Sequence, residues 1–273
     1  MRFPGGKTKA ATFSYDDGVK ADLRLLEIFK KYGVKGTFNL NSDLFDCQSW
    51  HNRMNEEETV KAFKSSGQEV ALHGARHIFL DKVPLPEAAD EIVRNRRYLE
   101  NIMGRTVRGM AYAYKGYNDE IVKLLKMMGV AYARTTEPSY SFQIPEDWLR
   151  LKPTCHHKDP KFAGLLDKFL TGSPAAEFKH REPYLLYIWG HSYEFDDDNN
   201  WEIIETACSR LAKDNDVWLA TGIEIYNYVK AYENLVYSMD GERVFNPSYM
   251  GVFVEIRGKV YEIPAGGEVV FEK

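Results

Sequence analysis

The chain has 273 residues, 44% hydrophobic and 28% charged, with a net charge of −4 and a pI near 6.0. That is ordinary globular composition with enough apolar material for a sizeable core, and the charge gives no overall case for nucleic acid as a partner. No apolar run approaches the ~18 residues a membrane span needs, and the N-terminus Met1–Lys7 has no apolar signal region, so the expected location is the cytoplasm and no membrane partner is expected.

Three scattered cysteines, Cys47, Cys155 and Cys208, form no CxxC pair, which argues against a disulfide framework and fits a reducing compartment. The aromatic share of 14%, with 17 Tyr and 5 Trp, leans weakly towards a sugar-lined cleft.

In chain order, residues 10–15 read as a strand and 21–32 as a helix stopped by Gly33. A second strand follows at 36–40, a helix at 56–65 and a third strand at 69–72 running into His73. Residues 86–102 form a long charged helix, with Pro near its start and Gly104 beyond its end. A fourth strand is predicted at 107–114, a helix at 119–128, a short strand at 130–133 and another at 149–151. A helix at 158–170 leads to the loop Thr171-Gly172-Ser173-Pro174, then to an apolar strand at 184–189 ending at His191. A helix at 201–212, a strand at 217–220 and a helix opened by the capping box Thr221–Glu224 complete this part.

The strand–helix alternation argues for a parallel sheet or a β/α barrel. From about residue 238 the style changes to short strands at 251–256, 260–263 and 268–271, a small antiparallel appendage. The expected division is therefore residues 1–237 and 238–273.

In such folds chemistry gathers at the carboxyl ends of the strands, and Asp16, Asp17, His73, Arg134 and His191 each follow a predicted strand. Ser14-Tyr15-Asp16-Asp17-Gly18 and His73-Gly74-Ala75-Arg76-His77 together supply an aspartate and two histidines for a metal, with a second aspartate beside them. Three protein ligands with an open position is the pattern of a catalytic rather than a structural metal site. A carboxylate next to that open position can deprotonate a metal-bound water, so the residues suggest a metal-assisted hydrolase. Read singly, each piece also has a plain structural meaning: Asp-Gly is common turn chemistry, and a histidine after a core strand is usually packed. Residues 194–198 read as a solvated acidic loop, and His156-His157 as a loop or helix start.

The set resembles the polysaccharide deacetylases, the NodB-homology carbohydrate esterases of family 4 type, over about residues 8–235. Asp16-Asp17-Gly18 in its strand is similar to the family's first motif, His73 to His77 to its second, and Leu186 to His191 to its last. The resemblance implies a distorted (β/α) barrel with fewer than eight regular repeats. It implies that Asp17, His73 and His77 hold a divalent metal, commonly zinc, with cobalt, nickel or manganese also accommodated. It further implies Asp16 as general base, His191 as general acid, a backbone N–H near Tyr114 at the oxyanion, and an N-acetylated sugar or glycan as substrate.

Two departures stand out. Gly74 replaces the motif's hydroxyl residue, and the stretch from Gly109 to Gly116 has Ala where the family's third motif has Arg and Pro. Arg134 is the candidate replacement for that arginine, and Trp189 a candidate wall of the acetyl pocket; the family's fourth motif is not evident. Two other readings remain: a hydrolase of another non-peptide C–N bond, such as a cyclic amide or imide, and a carbohydrate-binding protein that has lost turnover. Retention of both histidines argues against the first, and intact Asp16 and His191 against the second. The oligomeric state is not readable from the sequence.

Overall fold

The computed structural model describes residues 1–48, 51–172 and 183–272. Eight parallel strands build one sheet: β1 (Lys9–Asp16), β2 (Gly36–Leu40), β3 (Glu69–Leu72), β4 (Gly109–Ala111), β5 (Tyr132–Arg134), β6 (Cys155–His156), β7 (Tyr184–Gly190) and β8 (Val217–Leu219). They run in the order β5-β4-β3-β2-β1-β7-β6. β8 pairs with the first half of β1, at Lys9 to Ala11, while β2 takes the second half, at Phe13 to Asp16. All residues of β1, β2, β3 and β7 are buried, as a sheet covered on both faces requires.

The helices form where the sequence supplies caps. Ala21–Tyr32 and Leu85–Met103 end at Gly33 and Gly104, both left-handed at φ 65, a conformation that glycine adopts without a Cβ penalty. Glu56–Phe63 and Gly222–Glu233 open with full capping boxes, Asn55 with Glu58 and Thr221 with Glu224.

The sheet curls into a distorted (β/α) barrel whose closing side is irregular. The amide of Thr135 donates to Leu151 O at 2.8 Å, and the amide of Thr154 donates to Tyr187 O at 2.7 Å. A single stretch of chain thus reaches from β5 to β7. The strand expected at 149–151 is instead a 3-10 turn, Trp148–Arg150, with only Leu151 bridging Arg134. Two other expectations are corrected. The fourth strand is three residues rather than eight, because the chain leaves the sheet by Tyr114, where φ is +59. The acidic run at 194–198 lies largely on a short helix, Tyr193–Asp197, not in a loop. The expected loop at 171–174 lies outside the described residues from 173 onward.

The C-terminal part carries two small antiparallel sheets. One joins β9 (Val236–Tyr237), β10 (Arg243–Phe245) and β13 (Glu268–Val270); the other is the hairpin of β11 (Val252–Ile256) and β12 (Lys259–Ile263). Val244, Val254, Ile263 and Phe271 form their shared core. The Arg2 amide donates to Phe253 O at 2.9 Å and its guanidinium pairs with Glu255, tying the N-terminus to the hairpin. Among the described residues, no helix is long and apolar enough to cross a membrane.

Candidate active site

The carboxyl ends of β1, β3, β5 and β7 meet around one cleft of about 350 Å³. Four non-glycine residues lining it have left-handed backbones: Asp17 (φ 85), His51 (φ 53), His77 (φ 58) and Tyr114 (φ 59). Each such residue costs on the order of 1–3 kcal/mol, and strain of this kind gathers where a side chain must be aimed. At Asp17 the turn also separates neighbours: Asp16 ends the strand, while Asp17 turns off it.

Asp17, His73 and His77 converge. His73 Nε2 and His77 Nε2 are 3.1 Å apart, and Asp17 Oδ1 lies 3.8 and 3.6 Å from them. A tetrahedral ion with ~2.0–2.1 Å bonds sets its ligand atoms roughly 3.3–3.4 Å apart, so this donor set fits a small divalent ion once Asp17 draws in and the two histidines part slightly. The tautomer fits as well. His73 Nδ1 lies 2.9 Å from Ala111 O, the place for its N–H, which leaves Nε2 as a bare lone pair. Burial and the neighbouring His73 push His77 down to about 4, against the pull of Asp17 and Asp16, so it is neutral as a ligand must be. Asp17 is held below its ordinary range: burial alone would raise it, but the Arg53 guanidinium and the imidazoles around it outweigh that.

Asp16 is buried beside this set, with Oδ2 3.8 Å from His73 Nε2. Arg134, itself fully buried, donates to its two oxygens at 2.6 and 2.5 Å, and Asn39 donates to Oδ1 at 2.8 Å. Burial raises the Asp16 carboxyl, but the Arg134 guanidinium gripping it prevails and holds it at about 2. It is a carboxylate at every physiological pH. Arg134 also donates to Ser14 Oγ at 3.1 Å and lies under the Trp189 ring, 4.4 Å from its centroid. Tyr114 is half exposed on the rim, its ring stacked on Phe79 at 4.1 Å and set edge-on to His77 at 4.6 Å.

His191, directly after β7, also lines the cleft, and its partner is one the sequence reading missed. Glu194 Oε2 lies 3.3 Å from His191 Nδ1 and accepts from the His191 amide at 3.0 Å. Burial pushes His191 down, but Glu194, Asp16 and Asp17 reverse this and leave it raised above 6.5. The signal in the sequence was an acid three residues after the histidine, read as part of a solvated run.

His156 Nε2 and His157 Nε2 also approach the same Glu194 oxygen, at 3.2 and 3.4 Å. His156, His191 and Glu194 therefore make a second group with metal-ligand spacing. The tautomer separates it from the first. The Lys158 amide donates to His156 Nδ1 at 3.1 Å, so the proton of the neutral ring sits on Nε2, facing Glu194. His156 thus turns a proton towards Glu194, where His73 turns a lone pair towards Asp17 and His77.

Arg53 was also missed. It donates to Asp17 Oδ1 at 3.2 Å and to Asn41 Oδ1 at 2.9 Å, and Asn41 in turn donates to the carbonyls of His73 and Gly74 at 2.7 and 2.9 Å. It ties the two ligand-bearing turns together.

Residues 4–133 match the family model for polysaccharide deacetylase. No curated protein matches the chain by sequence. Among solved structures, a Mycobacterium smegmatis protein assigned as a polysaccharide deacetylase is 18% identical, with a TM-score of 0.60 over 85% of this chain and 94% of that one. PuuE allantoinase is 12% identical, with a TM-score of 0.61 over 82% and 91%. A family 4 carbohydrate esterase from Streptomyces lividans, in complex with acetate, is 14% identical, with a TM-score of 0.50 over 76% and 88%. These likenesses carry the barrel fold and, at such identities, nothing finer. The matched segment, just under half of the chain, holds the aspartate pair and both converging histidines, so it is in this part that the chain is similar to the polysaccharide deacetylases.

Proposed function

We propose that the protein is a metal-dependent hydrolase that removes acetyl groups from an N-acetylated sugar or glycan. One observation carries this reading: the donor atoms of Asp17, His73 and His77 converge beside an Arg134-clamped carboxylate. Asp17, His73 and His77 would hold the divalent ion, with zinc suiting the donor set best. When bound, such an ion polarises the acetamide carbonyl and acidifies water.

The chain's own groups account for the rest. Asp16, ionised and fixed by Arg134 and Asn39, is the base that accepts the proton of the attacking water. His191, charged with help from Glu194, donates a proton to the leaving amine. Glu194 acts through His191: by accepting a hydrogen bond from Nδ1–H it leaves Nε2–H free to face the substrate. Tyr114 and Trp189 line the cleft on either side of these groups and are suited to hold the acetyl group and its sugar.

The test is acetate release from N-acetylglucosamine and chitooligosaccharides, before and after chelation. Release that stops with the chelator and returns with zinc supports the reading. Metal binding without release from any N-acetylated sugar contradicts it and directs attention to other C–N bonds.

A further inference from the structure

The helix Leu85–Met103 takes no part in the chemistry above, yet it buries two polar side chains completely, Glu91 and Asn95. They stand one helical turn apart and so share a face. Both meet the turn from His73 to His77. The His73 amide donates to Asn95 Oδ1 at 3.0 Å, and the Arg76 amide donates to Glu91 Oε2 at 2.8 Å. Asn95 also donates to Leu40 O at 2.9 Å, which fixes its orientation from the other end. Glu91 Oε1 accepts from Arg76 Nε at 2.5 Å and, more loosely, from Arg94 at 3.4 Å.

The turn needs anchors from outside itself. It brings the Nε2 atoms of His73 and His77 to 3.1 Å without being helical, with Gly74 at φ +77 and His77 at φ +58. Gly74 supplies no side chain, and a β-carbon there would stand 3.7 Å from Glu91 Oε2. The carbonyls of the turn are held by Asn41 and by the Asp43 amide, which donates to Ala75 O at 3.0 Å. The amides of His73 and Arg76, the first histidine and the residue before the second, are held by the helix. A carboxylate is costly to bury, and an apolar contact would fasten helix to turn at less cost. What Glu91 adds is direction on one backbone N–H.

We propose that Glu91 and Asn95 are positioning residues for the metal-binding turn. They fix the backbone beneath His73 and His77, and with it the separation of the two Nε2 atoms. This rests on the metal-site reading under Proposed function, and the experiment keeps the two apart.

Metal-free protein is titrated with zinc alone in a calorimeter, and its thermal melt is recorded separately. Outer partners that orient metal ligands typically matter by about 10–100-fold in affinity. Glu91→Ala and Asn95→Ala should each weaken zinc binding by about tenfold. Arg76→Met removes the guanidinium that pairs with Glu91 but leaves the carboxylate on the Arg76 amide, so it should bind zinc as wild type does. Glu91→Ala strands no buried charge, since the Arg76 and Arg94 side chains are 45% and 44% exposed, and it should fold. Should it not fold, Asn95→Ala decides. A lowered melting temperature with unchanged zinc affinity in the alanine variants means a structural role only and overturns the proposal. Equal weakening in Arg76→Met overturns it too, by assigning the effect to the side-chain pair. Wild type that binds no zinc sinks the metal site and the proposal together, whereas alanine variants that match a zinc-binding wild type sink the proposal alone.

Discussion

Arg134, the last residue of β5, reaches across the barrel to grip both carboxylate oxygens of Asp16, the last residue of β1, and both side chains are buried. Four strand positions in sheet order separate the two residues, so the pair also ties distant parts of the sheet together. Removing one partner of a buried pair leaves an uncompensated charge, at a cost of about 3–5 kcal/mol. Arg134→Met should lower stability by about that much in urea denaturation. Arg134→Lys keeps a charge but loses the two-pronged grip, so it should fold and yet lose most acetate release. Unchanged release in Arg134→Lys would remove the arginine from the account.

Glu194 and His191 give a pH prediction. His191 lies above 6.5 in the folded protein because Glu194 and the two aspartates outweigh burial. Activity that needs its charged form declines as pH rises through that raised value. Glu194→Gln should therefore shift the alkaline limb of the kcat profile to lower pH and reduce kcat, with KM little changed. An alkaline limb that stays in place assigns it to some other group.

Asp22 gives a stability prediction. It is fully buried, with Ser192 Oγ donating to its Oδ1 at 2.6 Å, and burial pushes it up to about 8 from an ordinary 3.8. Between those values the folded chain holds a proton that the unfolded chain has released, so stability falls as pH rises from about 4 to about 8. Asp22→Asn keeps an acceptor for Ser192 and removes the titration. Its denaturation midpoint should decline less than that of wild type between pH 5 and 9, and identical declines would contradict the assignment.

Gly74, where the related motif carries a hydroxyl residue, sits at φ +77. A β-carbon there has room, with Glu91 Oε2 3.7 Å away, but the backbone is strained for any other residue. Gly74→Ser should cost about 1 kcal/mol and should not raise activity. A stabilised Gly74→Ser variant in thermal melts would show that the loop can rearrange.

The barrel was legible because its strands are continuous apolar runs and its helices carry their stop signals in glycine, as at Gly33 and Gly104. The end of β4 was not, because the apolar run to Tyr114 looks like strand while the backbone leaves the sheet after Ala111. The residues of the two motifs were found together because each follows a strand directly. Arg53 and Glu194 were not, since a long-range hydrogen bond such as Arg53 to Asp17 leaves no periodicity, and Glu194 stood among Asp196, Asp197 and Asp198 as one acid of a run. The proton that His156 turns towards Glu194 rests on a single backbone donor, the Lys158 amide, which no side-chain pattern announces.

The most direct measurement is metal content together with acetate release from chitooligosaccharides, for wild type and Asp16→Asn. The account predicts one divalent ion per chain in both proteins, since Asp16 is not a ligand, and acetate release in wild type alone. No bound metal after reconstitution, or full release by Asp16→Asn, would contradict it.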